Sequence, residues 1–147
     1  MDGHSIAILE YDRILSRLAA VAALEENRLR LRVPSFPGDD ELGRQFDLTE
    51  DARHLLSLQG KPELPPLPPL LPLLEEAAKE GSVLAAADLR AVACWLQGGA
   101  HCSSWLAHPD AGGLAPLAGD CRPASTLYRT LLKAISEEGE LNDAEFP

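Results

Sequence analysis

Apolar positions along the chain recur at three- and four-residue spacing, and the longest such pattern covers Leu70–Ala107. Leu70, Leu73, Leu74, Ala77 and Ala78 line one face of a helix. Glu75, Glu76, Lys79 and Glu80 fill the rest of its circumference, and Gly81 stands where a residue of positive φ ends a helix. A second helix carries Leu89, Val92, Ala93, Leu96, Ala100 and Leu106 on one side. So short a connection predicts an antiparallel helical hairpin whose apolar faces are buried, with the other segments packed around it.

Upstream, Ile8, Tyr11, Ile14, Leu15, Leu18 and Ala22 form a helical stripe, so a first helix is predicted over Ile6–Ala23 with Ser5 as its cap. The phase continues through Leu24, Arg28 and Leu31 until Pro34 and Pro37 end it. Arg28, Arg30 and Arg32 alternate with Leu29 and Leu31, which also fits a short strand. Helix is preferred, because no second strand is available to pair with it. Pro37-Gly38-Asp39-Asp40 is a turn into a second helix with Leu42, Phe46, Thr49, Ala52 and Leu56 on one face, Leu48 and Leu55 at its margins, and Gly60 as its stop.

Lys61–Pro72 holds six prolines, which excludes a helix interior and predicts an extended polyproline connector anchored by Leu64, Leu67, Leu70 and Leu71. His108-Pro109 closes the long helix. Asp110–Pro123 reads as a loop pinned by Leu114 and Leu117, with a helical turn near Leu114–Ala118. Pro123 suits the start of a last helix that buries Leu127, Leu131, Ala134 and Ile135 and ends at Gly139. The expected fold class is therefore all-α, an irregular antiparallel bundle of about five to six helices. It is read as a single domain over 1–147: N-terminal helices (1–60), a Pro-rich connector (61–72), then the hairpin, loop and last helix (73–147). The sequence stops soon after Gly139, at Phe146-Pro147, which reads as a piece of a longer protein.

Composition supports this picture. An apolar fraction of 46% suffices for a core, and abundant Leu and Ala with few aromatics favour helix over strand. The formal charge of −10 argues against nucleic-acid binding by the chain as a whole. Residues 1–36 nevertheless balance five arginines (Arg13, Arg17, Arg28, Arg30, Arg32) against five acids, so any contact with phosphate is assigned to those arginines. Three cysteines (Cys94, Cys102, Cys121) leave one thiol over in any disulfide scheme, and a reducing cytosol is the simpler home. The N-terminus lacks the pattern of a secretory signal, and no stretch approaches the ~18 continuous apolar residues of a membrane span.

Candidate chemistry is sparse. The one Gly-Lys pair, Gly60-Lys61, has Leu55 and Pro62 where a phosphate-binding loop needs Gly and a hydroxyl, so no nucleotide site is expected. Cys94, His101 and His108 recur every seven residues, but helical positions seven apart lie ~10 Å from one another, too far to share one zinc ion. Asp39-Asp40-Glu41, Glu75-Glu76 and Glu137-Glu138-Glu140 lack a His, Ser or Cys companion and read as solvated charge. The P-x-x-P spacings between Pro62 and Pro72 have leucines in their gaps and no flanking Arg, which favours a connector packed on the core over a ligand for another domain. Gly98-Gly99 reads as a tight helix contact and Gly112-Gly113 as part of a loop. Trp95, Cys102 and Trp105 fall off the main stripe and form either an exposed interaction face or a second buried side. No catalytic, cofactor-binding or metal-ligating residue is assigned.

Four segments in order, Leu9-Glu10-Tyr11, Leu48-Thr49-Glu50-Asp51-Ala52 with Leu55-Leu56, Glu75–Leu89 and Ile135–Asp143, resemble the N-terminal region of the bacterial MutS type 2 family. The resemblance implies a helical fold that precedes an ATPase domain. For the parent protein it implies dimerisation, ATP hydrolysis with Mg, binding to branched DNA or ribosomes, a role in recombination suppression or DNA repair, a cytoplasmic location and often a C-terminal Smr nuclease. The motifs for those activities would lie beyond Pro147, so none of their residues is carried onto this chain. The alternative is a helical protein-interaction or dimerisation module without a nucleic-acid role.

Overall fold

The helical periodicity is realised. A computed structural model describes residues 10–22, 24–33, 37–122 and 125–142, excepting the side chains of Glu25, Glu26 and Ser125. The fold is all-α: the described residues form seven α-helices and one 3-10 turn, with no strand beyond an isolated bridge between Ile135 and Leu141. No helix among them is long and apolar enough to cross a membrane. The chain divides into two compact units, residues 1–38 and 39–147, whose boundary falls in the Pro37–Asp40 turn.

In the first unit, α1 (Tyr11–Val21) packs on α2 (Glu25–Leu31). Helix, not strand, is the state of the Arg/Leu alternation in Glu25–Leu31. The two helices are not continuous, because Ala22 turns into extended backbone (φ −69°, ψ 132°) and breaks the ladder. Leu15 and Ala19 are the buried positions of α1, while Ile14 and Leu18 stay largely exposed. The expected cap Ser5, the first turn from Ile6, and Pro34 lie outside the described residues.

The second unit opens with α3 (Asp39–Gln59), whose three acids Asp39, Asp40 and Glu41 stand in the first turn, where the helix dipole favours them. Gly60 stops it at φ +72°. The buried side of α3 is not the expected one. Leu55 is fully buried and Leu48 half-buried, whereas Phe46 is 66% exposed and Leu42 and Leu56 are also outside. The 3-10 turn Gly112–Leu114 sets this orientation by packing on the Leu48–Leu55 side.

Residues 60–70 form no helix, as the proline count requires. They run as a strap along α5 (Ala86–Leu106), the central helix of the unit. Trp105 Nε1 donates to Gly60 O (2.9 Å), His101 Nδ1 bonds the Glu63 carbonyl, and Trp95 Nε1 donates to Pro68 O (2.7 Å). The order 60, 63, 68 against 105, 101, 95 makes the strap antiparallel to the helix. Between those bonds Gly98 is buried, and a Cβ there would touch Leu67 at 3.4 Å and Leu64 and Pro65 at 3.7 Å.

The helical hairpin expected over Leu70–Ala107 does not form. Its first arm shrinks to α4 (Leu71–Ala77), which buries none of its residues and leaves Leu71 and Leu74 largely exposed. After Gly81 the chain stays non-helical to Ala85, and α5 begins only at Ala86. The strap already occupies the face of α5 that bears Trp95, Gly98 and Trp105, and the main helical partners of α5 are α6 (Leu117–Asp120) and α7 (Ser125–Ala134). Ala93, Leu106, Ala111, Leu114, Ala134 and Ile135 complete the core. The last helix ends at Ala134 rather than at Gly139. Ser136 N donates to Glu140 O (2.8 Å) and Gly139 N to Ser136 O (3.1 Å), folding a turn that needs Gly139 at φ +83°. Pro123 lies outside the described residues.

Candidate functional site

The five arginines singled out from the sequence sit on the two helices of the first unit. Arg13 and Arg17 are one turn apart on α1, off its buried Leu15–Ala19 side, and both are exposed. Arg13 Nη1 pairs with Glu10 Oε2 at 2.8 Å. Arg28 Nε donates to the Ala22 carbonyl (2.9 Å), which ties α2 back to the end of α1. Arg30 and Arg32 are exposed at the C-terminal end of α2, where cations complement the helix dipole. Arg17, Arg30 and Arg32 have no partner among the described residues.

In the second unit the groups tested for metal chemistry face different neighbours. His101 is engaged by the strap, His108 Nδ1 accepts from Asp110 N (3.2 Å), and Cys94 lines a groove beside Arg90. Among the described residues no cluster of three His, Cys, Asp or Glu side chains is placed to hold a metal ion. The carboxylates serve local pairs. Gln45 and Arg44 hold the Glu41 carboxyl below its ordinary value, and Arg53 does the same for Glu50. Glu76 pairs with Lys79 at 2.5 Å.

Two polar anchors have no signature in the sequence. Asp51, on α3, accepts a hydrogen bond from Gly113 N (2.7 Å) and crowds the place a Cβ on Gly112 would take, at 2.5 Å. Arg90, on α5, is only 20% exposed along its side chain; Nη1 donates to Ile135 O (2.5 Å) and Nη2 lies 3.8 Å from Glu137 Oε1. Each joins residues more than forty positions apart, beyond the reach of any local pattern. Arg90 thus clamps the turn after α7 onto the first part of α5, and a Cβ on Gly139 would meet Ala87 at 3.0 Å.

Shallow cavities accompany both anchors. One of about 350 Å³ lies between Pro66 and Pro68 of the strap, Arg90 and Cys94 of α5, and Glu137. Another, about 560 Å³, lies between Arg44, Leu48 and Asp51 of α3 and Gly113, Pro116 and Leu117. Among their lining residues neither cavity joins a nucleophile to a base and an orienting group. No family model, curated protein or solved structure matches the chain.

Proposed function

We propose that the chain is the non-catalytic N-terminal helical domain of a MutS type 2-like protein, and that it supports a dimeric nucleic-acid clamp. The observation that carries the reading is the ordered succession of segments from Leu9 to Asp143 that resembles that family. In the fold, Leu48–Ala52 lies within α3 with Leu48, Asp51 and Ala52 half-buried and Thr49 and Glu50 exposed, Glu75–Leu89 spans the passage from α4 into α5, and Ile135–Asn142 is the turn that Arg90 clamps. On this reading ATP and Mg, and any nuclease residues, belong to other parts of a cytoplasmic parent protein. DNA or ribosomes are met through the whole protein, with Arg17, Arg30 and Arg32 as this segment's own contribution.

A second reading, a helical interaction or dimerisation module, draws on Leu42 and Phe46, which stand exposed one turn apart on α3. Sedimentation of the isolated chain, with ATP hydrolysis measured on the same sample, separates the two. The support reading expects a 15.8 kDa monomer without ATPase activity. A concentration-dependent dimer would favour the interaction module, and ATP hydrolysis would remove the non-catalytic assignment.

A further inference from the structure

Of the three thiols, Cys94 is apart in the groove beside Arg90, while Cys102 and Cys121 lie on elements that touch. Two contacts fix the short helix α6 against α5 around this pair. Ser103 Oγ donates to Ala118 O (2.7 Å), and the Cys121 carbonyl oxygen lies 3.0 Å from where a Cβ on Gly99 would stand. The missing side chain at Gly99 lets the Cys121 backbone reach the surface of α5. Helical positions three apart are neighbours, with Cβ atoms roughly 5–6 Å from each other, so Cys102 is the next residue along the ridge from that contact. Burial, and secondly the charge of Cys121, push the Cys102 thiol up. Both cysteines are half-buried, and α6 is four residues long with no buried residue, which leaves it room to reach the roughly 4.4–6.8 Å Cα separation of a disulfide.

We propose that Cys102 and Cys121 form a redox-responsive pair that closes into an intramolecular disulfide and staples α6 to α5. The oxidant is a low-molecular-weight disulfide such as oxidised glutathione. The Cys121 thiolate attacks one of its sulfurs, forming a mixed disulfide and releasing one glutathione thiolate. The Cys102 thiolate then attacks the Cys121 sulfur and releases the second glutathione. Two protein thiols are oxidised, one small disulfide is reduced to two thiols, and the two protons pass to the released thiolates. Leu117 of α6, with Pro116 and Gly113, walls the cavity that faces Arg44 and Asp51, so the staple fixes one side of that cavity. A bond that forms only under oxidising conditions is regulatory in a compartment that keeps thiols reduced.

The test treats the full chain with oxidised or reduced glutathione and reads intact mass, alkylatable thiols and melting temperature. Oxidation is expected to lower the thiol count from three to one, remove the mass of two hydrogens, leave a monomer on a non-reducing gel and raise the melting temperature by about 5 °C. Chymotryptic cleavage after Trp95 separates Cys94 from Cys102 and should yield the peptide that holds Cys102 linked to the one that holds Cys121. Cys94→Ser should behave alike, passing from two thiols to none, whereas Cys121→Ser should lose the melting increment. Three thiols surviving oxidation, a bond to Cys94, or covalent dimers would overturn the proposal. The peptide map of the unmutated chain decides even where a substitution harms folding.

Discussion

At the scale of single residues, the loop after α5 hangs on one carboxylate. Gly112 holds φ +54°, which a side chain adopts only at a cost, and its Cβ would collide with the Asp51 carboxylate at 2.5 Å. Gly112→Ala is therefore expected to lower unfolding free energy by about 2 kcal/mol in urea titration. Asp51→Ala should cost about 1–2 kcal/mol through the lost charge-assisted bond and speed amide exchange at Gly113, while Asp51→Asn should recover part of both. Glu41, in the first turn of α3, sets a pH dependence. Glu41 has its folded-state carboxyl held below the ordinary value of 4.5, so its contribution is present above that pH and is lost as pH falls through the lowered value. Thermal melts from pH 7 to pH 3 should show stability dropping below about 4.5, less steeply in Glu41→Gln. Neither anchor was legible in the sequence. No local pattern marks Asp51 or Arg90, because their partners Gly113 and Ile135 lie more than forty residues away and only the fold brings them together.

At the scale of elements, punctuation was legible and partnership was not. The acids and Gly60 mark both ends of α3, and the prolines from Pro62 to Pro69 correctly predict a non-helical connector packed on the core, whereas Pro72, expected in that connector, stands in the first turn of α4. Periodicity in Leu70–Ala78 predicts a buried hairpin arm, yet its length is too short to compete for a face of α5 that the strap holds by three backbone carbonyls. Trp95 and Trp105 reveal why. Each indole lies with its polar edge toward a carbonyl that proline-rich backbone leaves unpaired, and Gly98 opens the space between them. Trp95→Phe keeps most of the apolar contact and removes only the donor to Pro68 O, so a loss of about 1 kcal/mol is expected in urea titration. Trp95→Ala, which also opens a cavity, should cost about 3 kcal/mol. Equal losses for the two substitutions would mean that packing contributes little and the bond carries the strap.

At the scale of the whole molecule, the charge asymmetry read from the sequence follows the boundary between the two units. The excess of acid lies in the second unit, and Arg17, Arg30 and Arg32 of the first have no partner among the described residues. If the intact parent binds nucleic acid through this segment, replacing Arg17, Arg30 and Arg32 with Ala should flatten the dependence of log affinity on log salt by up to about 0.9 per lost phosphate contact on duplex DNA. An unchanged slope would leave the segment a purely structural support. Arg28 is a poor choice for that test, since its bond to Ala22 O ties the two helices together. The all-α class was legible from periodicity, whereas the site was not, because no local motif carries it. The most direct measurement is to read the coding sequence beyond Pro147. The account expects a G-x-x-x-x-G-K-[ST] phosphate-binding loop a few hundred residues downstream, and an immediate stop codon would contradict it.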